Sequence, residues 1–179
     1  RAIFQVVSII TTTGFSSDNF DTWPTFAKGI LFLLMFFGGC TGSTGGAIKI
    51  ARIVILCKYA RRQIQKAVNP RLVIHTKMDG VSIPDTVIHE IAAFFFMYLA
   101  LFSFGALFLM ATGEDLVTAL TAAAATIGNV GPGFVRVGPL QNYSGLHTAA
   151  KWVLSFLMLA GRLEILPILA LLSPRFWRK

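Results

Sequence analysis

Three stretches of the chain are apolar over a length that crosses, or nearly crosses, a hydrocarbon layer of about 30 Å, which takes about 20 helical residues. They are residues 23–57, 86–111 and 146–172, and the first is interrupted by Gly38-Gly39-Cys40-Thr41-Gly42-Ser43-Thr44-Gly45-Gly46, which contains no large side chain. Two further apolar stretches, Ala2 to Ile10 and Leu116 to Ile127, last only about two to three helical turns. They stop at Thr-Thr-Thr-Gly-Phe (residues 11–15) and Gly-Asn-Val-Gly-Pro-Gly (residues 128–133). A short helix that ends in extended backbone is tolerated at membrane depth only where it lines a cavity or is buried in protein, so both are predicted to be re-entrant half-helices.

The pattern repeats. Laying Gly14 on Gly131 puts Thr11-Thr12-Thr13-Gly14 over Gly128-Asn129-Val130-Gly131, with a short apolar helix before each. Ten residues separate Lys28 from Gly38, and ten separate Lys151 from Gly161. The second copy carries about six extra residues near Val135 to Asn142. The predicted unit is span, pore helix, filter-like strand, span, and the first span of the first copy is expected to lie before Arg1. The domain reading is a first unit over 1–70, a cytoplasmic loop over 71–84, and a second unit over 85–179. The fold class is all-α integral membrane, built of repeated membrane–pore-helix–membrane units.

Composition supports the membrane reading: hydrophobic residues are 55% of 179, charged residues 13%, and mean hydropathy is +0.69. So little charge would not cover the surface of a soluble domain. The net charge of +8 is placed between and after the apolar spans, which argues for cytoplasmic loop charge and against a nucleic-acid partner. Lys58, Arg61, Arg62, Lys66, Arg71 and Lys77 face only Asp79 in the connection after the first span. By the positive-inside rule that loop and the tail Arg175-Phe176-Trp177-Arg178-Lys179 are cytoplasmic. Asp18, Asp21, Glu114 and Asp115, against Arg136, then fall outside. Trp23, Trp152 and Trp177 suit the interfacial belts. Cys40 and Cys57 have neither disulfide nor metal-site spacing. Arg1 opens the chain without a methionine or a signal-peptide pattern, and a piece of a longer chain is expected.

The chemistry available to the two Gly-containing segments is cation coordination. A dehydrated monovalent cation needs several oxygens at once, and fixed backbone carbonyls are a ready source in a membrane. Turning successive carbonyls one way calls for backbone angles that glycine adopts without a Cβ penalty. Threonine hydroxyls add oxygens or brace the strand, and each half-helix aims its negative C-terminal end at the cation path. A tight turn between packed helices explains one glycine but not the recurrence of the unit. The Gly38 to Gly46 stretch, though glycine-rich, has no Gly-Lys-Ser/Thr and no aqueous strand-to-helix setting, which excludes a P-loop. No catalytic centre is indicated, and the chain is read as a transporter rather than an enzyme.

Arg162 lies about 15 Å into the third span at helical rise. A charge at that depth is costly and is usually paired or functional. Glu164, two residues on, points to another face of the helix. The repeat places Arg162 at the depth of Gly39, so glycine stretch and arginine are expected at one level, inside the filter strands. His89 and Glu90 read as interfacial, and His75 and His147 as loop or edge residues.

Four motifs together resemble the TrkH branch of the superfamily of potassium transporters that includes Trk, Ktr and HKT proteins. They are TTTGF at 11–15, GGCTGSTGGAIK at 38–49, GNVGPG at 128–133 and GRLEILPILALLSPRFWRK at 161–179. The resemblance covers essentially the whole chain, as the third and fourth repeats of four, and implies that these units surround a pseudo-fourfold ion pore. It implies filter strands at Thr11, Thr12, Thr13, Gly14 and at Gly128, Asn129, Val130, Gly131, with Gly14 and Gly131 as the key glycines. It implies an intramembrane gate at Gly38, Gly39, Cys40, Thr41, Gly42, Ser43, Thr44, Gly45 and Gly46, with Arg162 below the filter. It further implies potassium as the transported ion with no covalent cofactor, a homodimer in the cell inner membrane with its C-terminus in the cytoplasm, and a cytosolic nucleotide-binding regulatory subunit of the TrkA kind. The last strand has Asn129 and Val130 where the other has Thr12 and Thr13, so the filter is not fourfold symmetric. The alternative is a secondary transporter of another solute or of Na⁺, built on broken midplane helices; a third reading is a membrane-embedded assembly subunit.

Overall fold

The computed structural model describes residues 1–40, 42, 43, 45–69, 76–78 and 80–163. Six helices carry the fold: α1 (Ala2–Ile10), α2 (Thr25–Leu34), α3 (Ile50–Val68), α4 (Asp85–Ala111), α5 (Leu116–Ile127) and α6 (Thr148–Arg162). Among the described residues the strands that accompany them are two residues long. β1 (Phe37–Gly38) pairs in parallel with β2 (Ile48–Lys49), and β3 (Lys77–Met78) pairs antiparallel with β4 (Val81–Ser82).

Among the described residues α4 is the helix long and apolar enough to cross a membrane, with 27 residues and a mean hydropathy of 2.2 over an 18-residue stretch of it. At 1.5 Å per residue it reaches about 40 Å. It packs against α5 and α6, and α5 is enclosed by them: Ala119, Ala122, Ala123, Ala124, Ala125 and Ile127 are all fully buried. Small side chains let three helix backbones approach closely, which is how helices associate where lipid and leucine are equally apolar. Close approach shows at Gly105, where a Cβ would collide with Leu157 of α6, and at Gly161 of α6, where it would collide with the Ile127 carbonyl. The three buried threonines of α5 cost little, because two of them return their hydroxyls to the helix: Thr121 to the Val117 carbonyl and Thr126 to the Ala122 carbonyl, both at 2.7 Å. The third, Thr118, accepts the Arg136 N–H at 3.5 Å.

A second core joins the two copies. Ile9 of α1, Phe20, Leu31 and Met35 pack with Ala124, Ala125, Val130 and Phe134. Phe20 and Phe134 meet edge to face at 5.5 Å. Between the two copies, Asp21 accepts the Val135 N–H at 3.1 Å. The Glu114 carboxylate, buried, pairs with Arg136 at 2.6 Å. Two of the acids expected outside are therefore structural fastenings. Large apolar side chains such as Ile3, Phe26, Phe96 and Trp152 remain exposed on α1, α2, α4 and α6.

The first inner segment departs from a span that ends at residue 57. α2 stops at Leu34, the chain crosses β1, the glycine stretch and β2, and α3 then continues to Val68. The first part of the basic connection is therefore helical. Lys58 to Val68 is rich in good helix formers, and Arg62, buried on the face toward α4, forks onto Asp85 with Nη1 to Oδ1 at 2.5 Å and Nη2 to Oδ2 at 3.2 Å. His89 of α4 stands edge-on to Tyr59 of α3 at 6.4 Å. The connection's Arg71, His75 and Asp79, and the third span beyond Leu163 with Glu164, Trp177 and the basic tail, lie outside the described residues.

Candidate functional site

The segments after α1 and α5 share one backbone. In the first, the N–H groups of Thr11, Thr12, Thr13 and Gly14 donate to the carbonyls of Val7, Ile9, Ser8 and Ser8 at 2.9, 3.1, 2.9 and 3.4 Å. In the second, those of Gly128, Asn129, Val130 and Gly131 donate to Ala124, Thr126, Ala125 and Ala125 at 2.9, 3.0, 2.8 and 3.4 Å. With Gly14 laid on Gly131 every donor and acceptor corresponds. Thr12 and Asn129 both have φ of 54°, and Gly14 and Gly131 have φ of 75° and 106°. Left-handed residues at alternate positions replace the plain extended strand the sequence suggested. They break the helix abruptly and leave its last carbonyls to cap the segment. Asparagine enters this region readily, whereas a β-branched threonine does so at a cost of about 1–3 kcal/mol.

Thr12 is held in that conformation by the glycine stretch. Its hydroxyl accepts the Gly46 N–H at 3.2 Å. Thr11 and Thr13 bond each other through their hydroxyls at 2.6 Å on the exposed side. Gly46 also abuts the second segment, where a Cβ would collide with the Gly128 carbonyl and stand 2.8 Å from the Asn129 Cβ. The two segments adjoin as well, since a Cβ on Gly14 would collide with the Val130 carbonyl. Asn129 in turn donates to the Met158 carbonyl of α6 at 3.2 Å. Gly14 is thus packed on the Val130 backbone and Gly46 on that of Gly128, so a side chain at either Gly14 or Gly46 fails on sterics.

Within the stretch, the Cys40 carbonyl accepts the Ser43 N–H at 3.0 Å, and the Ser43 hydroxyl accepts the Gly45 N–H at 3.2 Å. Gly38 lies against the Gly46 carbonyl, Gly39 lies beside Ser43, and Gly42 turns with φ of 86°. Cys40 is an exposed free thiol. Thr41 and Thr44 lie outside the described residues. Arg162 ends α6, and with Ser43, Gly45, Ala47, Lys49, Phe94 and Gly161 it lines a cavity of about 200 Å³. Arg52 covers the face of Phe94 at 4.3 Å. The arginine and the glycine stretch, matched in depth by the repeat, therefore share one space.

The correspondence continues beyond the segments. With Lys28 laid on Lys151, Asn19 and Asn142 each cap a short 3-10 turn, accepting the N–H of Asp21 and of Ser144. Lys28 and Lys151 donate to the carbonyls of Asp21 and Ser144 at 3.1 and 2.6 Å. In this register Phe20 falls on Tyr143, and the Tyr143 hydroxyl donates to the Gly131 carbonyl at 2.6 Å. Neither Tyr143 nor Asp21 was singled out from the sequence as bearing on the segments. The available signal was the Asn-aromatic pair recurring before each inner helix.

The chain matches the model of the TrkH cation transport protein family over residues 1–179. It is 43% identical to the Trk system potassium uptake protein TrkH of Halomonas elongata over 179 residues, which is 100% of this chain and 37% of that protein. The corresponding protein of Escherichia coli K12 is 38% identical, again over 100% of this chain and 37% of its own length. The crystal structure of the potassium transporter TrkH from Vibrio parahaemolyticus superposes with a TM-score of 0.88 at 42% identity, covering 98% of this chain and 37% of that one. The chain thus spans a little over a third of the length of the relatives it matches. On sequence over its whole length and on fold, it belongs to the TrkH family of cation transport proteins.

Proposed function

We propose that this chain supplies two of the four pore-lining units of a potassium uptake transporter, with Thr11 to Gly14 and Gly128 to Gly131 as two strands of its selectivity filter. The observation that carries the reading is the shared hydrogen-bond ladder with left-handed residues at alternate positions, each copy at the C-terminal end of a short helix. That arrangement supplies oxygens at a negative helix end, which is what a dehydrated cation requires. The potassium uptake named for the relatives above agrees with it. Because two strands cannot enclose an ion, transport belongs to the longer protein.

The Gly38 to Gly46 stretch is the gate in this reading. Its exposed backbone polar groups cannot face lipid, it touches both strands at Gly46, and Arg162 shares its cavity. A cation leaving the strands meets polar backbone and then positive charge. The division into repeats three and four, the homodimer, the inner-membrane location with a cytoplasmic C-terminus, and a TrkA-like nucleotide-binding regulator belong to the same proposal.

The test is rubidium and potassium uptake by the full-length protein in cells lacking their own uptake systems. Replacing Gly14 or Gly131 by a larger residue is expected to abolish uptake or alter cation selectivity; unchanged transport in both variants would sink the reading. Shortening Gly38 to Gly46 is expected to raise flux. A deletion that leaves conductance and regulation untouched would reduce the stretch to a hinge.

A further inference from the structure

Both segments are braced from behind by a side-chain hydroxyl, but at different carbonyls. In the first, Ser8 of α1 donates to the Phe15 carbonyl at 2.7 Å, one residue past Gly14. In the second, Ala125 occupies the place of Ser8 and has no hydroxyl, and Pro132 occupies that of Phe15. The brace there comes from Tyr143, which reaches the Gly131 carbonyl itself at 2.6 Å. Among the described residues no hydrogen bond reaches the Gly14 carbonyl. The two glycine oxygens therefore differ: one is tied to a phenol, the other is not.

The tie depends on the extra residues of the second copy. The chain from Val135 to Asn142 passes outward over α5, anchored by the Asp21 contact to the Val135 N–H and by Arg136, which bridges Glu114 and the Gly145 carbonyl at 2.6 and 3.1 Å. It returns at the Asn142-capped turn with Tyr143 packed on the α4–α5–α6 core. The first copy, without the insertion, places Phe20 at the matching turn, and a phenyl ring has no donor. Burial pushes the Tyr143 phenol well above its usual range, so it remains a protonated donor at any physiological pH.

We propose that Tyr143 is a positioning residue of the ion pathway, whose hydroxyl fixes the direction of the Gly131 carbonyl and so makes the two strands inequivalent ligands for the cation. This rests on the filter reading above. A tied carbonyl cannot swing or contract around a smaller ion. Its lone pair is also partly spent on the phenol, so the field at that level is weaker than at Gly14. Both effects work against Na⁺, which needs shorter and stronger contacts than K⁺.

The experiment compares Tyr143→Phe, Tyr143→Met and Gly131→Ala in the full-length protein, reading protein level, maximal rubidium uptake, and competition of Na⁺ against Rb⁺. Tyr143→Phe is expected to keep its protein level and most of the maximal rate while K⁺-over-Na⁺ discrimination falls about three- to tenfold, the size of one neutral hydrogen bond. Tyr143→Met, which fills space without a hydroxyl, is expected to follow it. Normal discrimination in both Tyr143 variants beside an altered Gly131→Ala overturns the proposal and leaves the filter reading standing. Normal discrimination in all three removes the filter reading itself. Loss of the protein in both Tyr143 variants overturns the proposal in favour of a packing role.

Discussion

Residues 7–14 and 124–131 run through the same hydrogen bonds and the same two left-handed positions, yet the side chains that support them differ. The first segment carries a threonine in a conformation that threonine resists, held by a bond from the glycine stretch. The second carries an asparagine, which tolerates it, and anchors that side chain on α6. The first half-helix is partly exposed, whereas α5 is enclosed between α4 and α6. The inner helices diverge too. The helix stops at Leu34 in one copy and runs on through Gly161 to Arg162 in the other. A duplicated backbone can thus keep a geometry while the supports that enforce it, and the freedom left beneath it, are divided unequally.

The sharpest way to break the comparison is at the paired glycines. In Gly14→Ala the methyl meets the Val130 carbonyl and the backbone is strained at φ 75°, so a loss of about 3 kcal/mol or more is expected from overpacking and strain together. Gly131→Ala meets nothing within 4 Å and suffers only from φ of 106°, for a loss of about 1–3 kcal/mol. Thermal unfolding of the detergent-purified full-length variants checks the order, and equal losses would show that the two strands are not packed as described. Next in size is Gly161→Ala, whose methyl collides with the Ile127 carbonyl and should cost about 1–3 kcal/mol. Gly29→Ala, on the partner inner helix with open space around it, should stabilise slightly by helix propensity.

Thr12→Ala removes the acceptor of the Gly46 N–H, with an expected loss of about 1 kcal/mol and faster cysteine labelling at Cys40 as the glycine stretch loosens. Labelling at the wild-type rate would detach the stretch from the first strand. The smallest effect concerns the half-helix starts. α5 is capped by Asp115, which accepts the Thr118 N–H at 3.0 Å, while α1 begins at Arg1 without a side-chain cap. The bonds from Thr118, hydroxyl first and then backbone, hold the Asp115 carboxyl below its ordinary range. Its stabilisation is therefore complete above the ordinary carboxylate pKa and is lost as pH falls through the depressed one. Asp115→Ala should cost about 1 kcal/mol near neutral pH and progressively less in acid; a pH-independent difference would contradict the cap.

Much of this was legible in the residues because a membrane leaves few options. Apolar runs of spanning length, short apolar helices ending in Gly, and basic residues collected in one connection follow from backbone satisfaction and charge cost, which act locally along the chain. α4 was bounded to within about one residue and α5 was located in full for that reason. The basic connection was less legible: the positive-inside rule reads charge and not conformation, so α3 continuing to Val68 and Arg62 buried against Asp85 escaped it. Tyr143 escaped because its role depends on a carbonyl twelve residues away, reached only after the insertion folds back.

The sequence by itself determined the membrane class, the duplication, the positions of the two Gly-containing segments and the shared depth of Arg162 and the glycine stretch. Each is written in periodicity and spacing, which a chain keeps whatever it packs against. Only the tertiary structure decided which atoms meet. It put Gly46 against both segments, turned Thr12 into a left-handed residue held by a neighbouring backbone, and tied the Gly131 carbonyl to a tyrosine. Those outcomes arise from close packing between segments distant in sequence, where a single methyl or hydroxyl decides the contact and no local pattern records it.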